Sequence, residues 1–327
     1  MTIVNKFLNV RNSTRSLSDE QFEKVLPNLA EEIAAVNYLP TFTEEQLRKD
    51  WKDLKNWYTT NTTINSTSRI GMRLCEHFFP NFYQITMKGK SFESLWTKEN
   101  LIKILRWNRS SHSTPYLSEL KRGIYFCCGL TKNTQFRPQL AKMIVDSIGA
   151  RRVLDPCAGW GGRMLGTVST GAEYVAYEPN TETYQHLQEL VDFLGINNWV
   201  TIYNQPAETM GDIGSFDLVL TSPPYFNLEV YTDEITQSYA SFKNYREWDE
   251  GWFQPLIKTC LSKLDKDGVS AWNVADVANM PMWESVERAH NSMNFRKSEE
   301  FAVASSSRQS NKSKSKKSTD LTKLFKR

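Results

Sequence analysis

No stretch of the 327 residues approaches the run of about 18 apolar positions that a membrane-crossing helix requires. The amino terminus, Met1-Thr2-Ile3-Val4-Asn5-Lys6, lacks the apolar core of a secretory leader. Cysteine is scarce: Cys75, Cys127, Cys128, Cys157 and Cys260, an odd number with no Cys-x-x-Cys pair. Histidine occurs four times, without metal-site spacing. These absences argue against a disulfide framework and against a zinc site, so no metal is expected and a reducing, cytoplasmic setting is. No internal repeat is visible.

What is present is a globular composition, 40% hydrophobic and 12% aromatic. The net charge of +3 conceals an asymmetry. Residues 308–327 hold eight Lys/Arg and one Asp, and the remainder of the chain is slightly acidic. Positive charge gathered at one end suits contact with phosphates.

The first third reads as helices. Ser18-Asp19-Glu20-Gln21 and Thr43-Glu44-Glu45-Gln46 both match the capping box, in which a hydroxyl and a glutamine reciprocally satisfy backbone donors at a helix start. The second helix should run to about Tyr58 with Trp51, Leu54 and Trp57 on one stripe. Residues 59–68, rich in Thr, Asn and Ser, read as a loop. The aromatics of this third (Trp51, Trp57, Phe78, Phe79, Phe82, Tyr83, Trp96, Trp107) are expected in a core rather than as stacking platforms. The cluster Lys103, Arg106, Arg109, Lys121 and Arg122 fits either a phosphate-tracking patch or a solvated face.

From about Gly129 short apolar runs alternate with helical patterns, the signature of a doubly wound α/β sheet with mostly parallel strands. Strands are expected at 152–155, 174–179, 200–204, 216–220, 268–274 and 298–304. Residues 321–327 are either a seventh strand or a tail. The division is then a mainly helical amino-terminal domain (1–125), an α/β domain (126–304) and a basic, low-complexity segment (305–327).

Two loops of the α/β part carry chemistry. The first is Asp155-Pro156-Cys157-Ala158-Gly159-Trp160-Gly161, between a strand and a helix. Its glycines allow a sharp turn and close approach of a ligand, and the helix start offers free N–H groups. Glu178, at the end of the next strand, is placed to accept both hydroxyls of a ribose. The second is Thr221-Ser222-Pro223-Pro224-Tyr225, directly after the apolar run Phe216–Leu220. Two prolines fix φ and remove two donors, leaving rigid carbonyl acceptors. Ser222 adds a hydroxyl, and Tyr225 a flat face. Acceptors beside a stacking surface suit a planar ring bearing an NH2 group.

In these two loops the sequence resembles the S-adenosylmethionine-dependent DNA amino-methyltransferases. Their Asp-Pro-Phe-x-Gly-x-Gly loop is matched by Asp155–Gly161, with Cys157 in place of Phe. Their (Asp/Asn/Ser)-Pro-Pro-(Tyr/Phe) motif is matched by Ser222–Tyr225. Gln135-Phe136-Arg137-Pro138 resembles the element that lays a Phe against the cofactor. A dinucleotide site would instead want Gly-x-Gly-x-x-Gly without the leading acid. The resemblance spans roughly residues 130–304 and implies a class I methyltransferase (Rossmann-like) fold. It implies S-adenosylmethionine as cofactor, bound by Phe136, Asp155, Cys157, Ala158, Gly159, Gly161, Glu178, Gln205, Ala207 and Thr221. It implies catalysis by Ser222, Pro223, Pro224 and Tyr225 on a base flipped out of double-stranded DNA, as in a restriction-modification enzyme.

Ser at the first motif position leans toward N4 of cytosine over N6 of adenine. RNA or a protein glutamine amide is the alternative substrate, and a non-catalytic DNA-binding protein with a relic fold is the alternative class. C5-methylation of cytosine is excluded by chemistry, since no cysteine lies between Leu220 and Lys258. The segment from Phe226 to Tyr245 is expected to act as a lid.

Overall fold

A computed structural model describes residues 13–65, 67–131, 133–277, 279–304 and 320–327. Its strands, in chain order, are β1 (Thr63–Asn65), β2 (Thr86–Met87), β3 (Arg152–Asp155), β4 (Glu173–Tyr177), β5 (Val200–Tyr203), β6 (Phe216–Thr221), β7 (Glu229–Val230), β8 (Leu264–Asn273), β9 (Arg296–Ala304) and β10 (Asp320–Lys326). The chain forms two compact units. One comprises residues 1–40, 80–134 and 228–231, the other 41–79, 135–227 and 232–327.

The first unit is helical, with helices Asp19–Ala34, Phe92–Leu95, Lys98–Ser110 and Leu117–Cys127 and the short antiparallel pair β2–β7. Ser18 begins its first helix with the expected capping box: Ser18 Oγ accepts from the Gln21 N–H, and Gln21 Oε1 from the Ser18 N–H. Phe22, Leu26, Leu29, Tyr83, Phe92, Trp96 and Leu120 form its core. The basic cluster is largely engaged within the unit. Arg106 pairs with Glu23, Arg109 with Asp19 and Arg122 with Glu119, while Lys121 donates to Tyr38 O and Tyr83 Oη. A solvated, paired face is therefore the better account of these residues.

The second unit is built on one eight-stranded sheet of order β1-β9-β10-β8-β6-β3-β4-β5. All neighbours are parallel except β10, which runs antiparallel between β8 and β9. Strand side chains alternate between faces, and both faces are covered. Val153, Leu218, Leu220 and Ala271 pack with Leu140, Ile144 and Val145 of helix Pro138–Ile148. Leu154, Val175, Val219 and Trp272 pack with Phe253, Leu256 and Ile257 on the opposite side. This is the class I methyltransferase fold: a parallel sheet reversing direction at β3, with one antiparallel strand inserted near an edge.

Two expectations need correcting, and one left open is decided. The division at residue 125 fails, because 41–79 belong to the sheet unit. Helix Glu44–Asn56, with the expected Thr43 capping box, buries Leu47, Trp51 and Leu54 among Tyr174, Leu187 and Leu190. The loop read at 59–68 contains β1, parallel to β9. With a single buried side chain, Ile64, this three-residue edge strand has no apolar run to reveal it. Of the two readings of residues 321–327, strand or tail, the strand is the one found: β10 lies inside the sheet with Thr322, Leu324 and Phe325 buried. Residues 305–319 of the carboxy-terminal segment, with Lys312, Lys314, Lys316 and Lys317, lie outside the described residues.

One helix of the sheet unit is interrupted. Tyr245–Trp248 passes through a π-turn, Asp249–Phe253, into Gln254–Ser262. Pro255 lacks the N–H that would continue the α ladder, and the wider turn absorbs the missing bond. In the segment expected as a lid, Tyr239 packs edge-to-face on Phe226, and Glu234 accepts from the Thr181 N–H at 3.1 Å. Among the described residues, no helix is long and apolar enough to cross a membrane.

Candidate active site

β3 delivers Asp155 to the carboxyl edge of the sheet. There the chain must turn into helix Gly162–Val168 within a few residues. Gly159 (φ +59°) and Gly161 (φ +70°) take left-handed conformations that a side chain would resist. Gly162 allows a close approach: a Cβ there would lie 2.0 Å from the Phe136 carbonyl oxygen. The Phe136 element and the loop are therefore packed backbone against backbone, as their shared motif order suggests.

Asp155 is completely buried. Its Oδ1 accepts from the Cys157 N–H (3.1 Å) and the Thr221 hydroxyl (2.8 Å), and its Oδ2 from Arg163 Nε (2.6 Å) and the Tyr174 hydroxyl (2.7 Å). Four protein donors fill the carboxylate. Arg163 is buried too, donates to the carbonyls of Cys157 and Ala158, and lies over the Phe136 ring. Burial opposes its charge, and Asp155 beside it more than restores that charge, so its pKa is raised. Burial and the neighbouring Asp155 push the Tyr174 hydroxyl well above its ordinary range, keeping it a donor. The same two causes, in the same order, hold the Cys157 thiol protonated and unreactive.

Glu178 differs. Oε2 accepts from the Gly159 N–H (2.9 Å) and Oε1 from the Asn180 N–H (3.0 Å), leaving acceptor capacity on both oxygens. Burial raises its pKa from the ordinary 4.5 to about 7, against the lowering effect of those two bonds. Its backbone is clamped between Tyr203 O and Asn204 Nδ2. Gln205 and Ala207 follow β5, with Ala207 buried in the cluster that also takes Cys157 and Tyr225. A buried carboxylate able to receive two hydroxyls, beside a loop opened by two positive-φ glycines, fits the ribose and methionine parts of S-adenosylmethionine, the cofactor of this fold.

The second motif leaves β6 next door. Leu154 and Val219 are register partners, so Thr221 and Asp155 meet at the sheet edge. Pro223 is buried, while Ser222, Pro224 and Tyr225 are partly exposed. The Tyr225 hydroxyl accepts from the Ala275 N–H at 3.0 Å, which fixes the ring. Phe226 follows with φ +45°, an unusual conformation for an aromatic residue, and is held by packing on Tyr239 and Trp248. Strain of this kind persists where the surroundings over-determine it, and it is frequent at functional sites.

The structure thus brings all the expected residues to one edge of the sheet unit, with Asp155 spent on protein contacts. Four contributors escaped sequence reasoning: Arg163, Tyr174, Asn273 and the conformation of Phe226. A basic residue two positions after Gly161 was the available signal for the first.

The family described as conserved hypothetical protein 95 matches residues 132–241, which include both loops. A tRNA1(Val) (adenine(37)-N6)-methyltransferase from Glaesserella parasuis is 26% identical over 125 residues, covering 38% of this chain and 52% of that protein. The chain therefore spans about half the length of the curated relative it matches. Among solved structures, TrmN from Thermus thermophilus aligns with a TM-score of 0.42 and 16% identity, over 58% of this chain and 48% of that one. An S-adenosylmethionine-dependent O-methyltransferase from Thermotoga maritima aligns with a TM-score of 0.40 and 13% identity, over 62% and 69%.

Proposed function

We propose that this protein is an S-adenosylmethionine-dependent methyltransferase acting on an exocyclic amino group of a nucleobase in RNA. The observation that carries the reading is the 2.8 Å hydrogen bond from the Thr221 hydroxyl to Asp155. It ties the cofactor loop to the Ser-Pro-Pro-Tyr loop at adjacent strand ends. When bound, the cofactor supplies a methyl group on a sulfonium, whose neutral thioether is a good leaving group. The chain's own task is positioning. Glu178 holds the ribose. Ser222 Oγ and the Pro223 carbonyl accept the two amino hydrogens, which turns the nitrogen lone pair out of conjugation with the ring. Tyr225, anchored through its hydroxyl, offers its face to the base. No general base is required before transfer, because the proton leaves the methylated nitrogen afterwards.

RNA is favoured over DNA because the curated relative acts on adenine in a tRNA, over a stretch of similarity comparable to the catalytic core. Nothing found supports the DNA or N4-cytosine reading drawn from the motif alone, and the motif chemistry serves either base.

The test is incubation of the purified protein with methyl-labelled cofactor and total tRNA, ribosomal RNA or duplex DNA. Nucleosides are then released and identified by mass spectrometry. Label in N6-methyladenosine or N4-methylcytidine from RNA, lost in Ser222→Ala, is the expected result. Label confined to DNA would restore the DNA reading, and label on oxygen or carbon would reject the amino-group assignment.

A further inference from the structure

A serine hydroxyl is ambiguous. It carries one donor and two acceptor sites, so Ser222 alone does not decide whether the pocket wants an NH2 or a carbonyl on the base. The decision lies with Asn273, the last residue of β8 and nearly buried. Asn273 Nδ2 donates to Leu321 O (3.1 Å) and to Thr322 Oγ1 (3.1 Å), both on β10. A backbone carbonyl only accepts, so this amide has one workable orientation, with its oxygen turned the other way. That oxygen, Oδ1, lies 3.5 Å from Ser222 Oγ. Asn273 and Thr322 are register partners across the antiparallel pair, and Thr322 is completely buried. The acceptor beside Ser222 is thus set by the sheet, not by a free rotor.

We propose that Asn273 is a positioning residue that makes Ser222 an obligate acceptor and so selects amino-bearing over oxo-bearing bases. The inference rests on the function proposed above. At 3.5 Å, the outer limit of hydrogen-bond distance, Asn273 Oδ1 gives the Ser222 hydroxyl proton a protein acceptor, and the lone pairs of Ser222 are left for the substrate. A base with an NH2 group meets an acceptor. A base with a carbonyl at the same place meets lone pair against lone pair, which leaves a polar group unsatisfied. The antiparallel strand thereby acts in specificity: it carries no motif residue, yet it orients the amide that orients the hydroxyl.

The experiment compares binding of homopolymers that differ at that group and at the ring nitrogen beside it. Poly(A) carries a 6-amino and poly(I) a 6-oxo group; poly(C) and poly(U) differ likewise at position 4. Affinities are measured by fluorescence anisotropy with S-adenosylhomocysteine present. The wild type should prefer at least one amino polymer over its oxo counterpart. Asn273→Leu should reduce that preference about tenfold, the equivalent of one hydrogen bond. Thr322→Val removes one of the two amide partners but leaves the Leu321 carbonyl, so it should reduce the preference less than Asn273→Leu, and Thr322→Ser should retain it. The serine variant also guards against misfolding, because it differs from the valine variant chiefly in the hydroxyl. A wild-type preference left intact by Asn273→Leu and Thr322→Val overturns the role of Asn273 while sparing the amino-group site. Absence of any preference in the wild type overturns both.

Discussion

Replacing Asp155 by alanine should unfold the protein more readily, rather than merely weaken cofactor binding. The carboxylate is wholly buried and takes hydrogen bonds from Arg163, Tyr174, Thr221 and the Cys157 N–H. Its removal leaves a buried guanidinium without its counter-charge, and breaking such a pair from one side costs about 3–5 kcal/mol. The stranded hydroxyls of Tyr174 and Thr221 add to that, so the upper end of the range applies. At about 2–4 °C per kcal/mol for a domain of this size, the melting temperature should fall by roughly 10–20 °C. Asp155→Asn should behave similarly, since it keeps the shape and loses the charge. In the double variant Asp155→Asn, Arg163→Met both charges go, and the loss should be clearly smaller than the sum of the single losses. Urea unfolding followed by circular dichroism gives all four free energies. An Asp155→Ala protein within 1 kcal/mol of wild type, the size of an ordinary surface change, would refute the reasoning.

Other outcomes follow from the same geometry. Glu178 has its folded pKa raised from 4.5 to about 7, so it contributes stability that is fully present below pH 4.5 and lost as the pH rises through 7, worth about 3 kcal/mol. Cofactor binding has the opposite slope, because the ionised carboxylate is the better acceptor for ribose hydroxyls. Calorimetric affinity for S-adenosylhomocysteine should therefore weaken below pH 7 in the wild type and be flat in Glu178→Gln. Gly162→Ala would press a Cβ on the Phe136 carbonyl and should cost about 1–3 kcal/mol with weakened cofactor binding, seen in melting curves with and without ligand. Truncation after residue 319 removes β10, with Leu324 and Phe325 fully buried, and should leave no cooperative thermal transition.

Much of the sheet was legible because its central strands are buried on both faces. Val153-Leu154 and Leu218-Val219-Leu220 are unbroken apolar runs, which only a parallel strand covered on both sides requires. The two loops were legible for a different reason: glycine and proline state backbone needs that few other structures impose. The edge strand β1 was not, and the inserted strand β10 was read only as one of two options. β1 buries a single side chain, and β10 follows a polar, lysine-rich stretch that sets the local composition. Helix Glu44–Asn56 was found as a helix but assigned to the wrong unit, since a buried stripe tells that a helix packs, not what it packs on. Buried polar partners were least legible. Arg163, Tyr174 and Asn273 act across 8, 19 and 51 positions of sequence, toward Asp155, Asp155 and Ser222. No local pattern encodes a pairing that only the sheet register creates.

The two acids of the candidate site, alike in a motif, divide the labour by environment. Asp155 faces four donors and a buried arginine, so its charge is fully answered inside the protein. A ligand arriving there would have to displace a bond worth more than the one it makes. Glu178 has two backbone N–H partners and, among the described residues, no ion-pair partner, and burial leaves its proton loosely balanced near pH 7. It gains most from new hydroxyl donors, because each one stabilises a charge that the protein has left under-solvated. The loop thus works as a rigid frame with one receptive edge. Asp155 and Arg163 hold the shape between β3 and the helix, Thr221 carries that shape across to the Ser-Pro-Pro-Tyr loop, and Glu178 is the acid that, in the proposed function, would take the ribose.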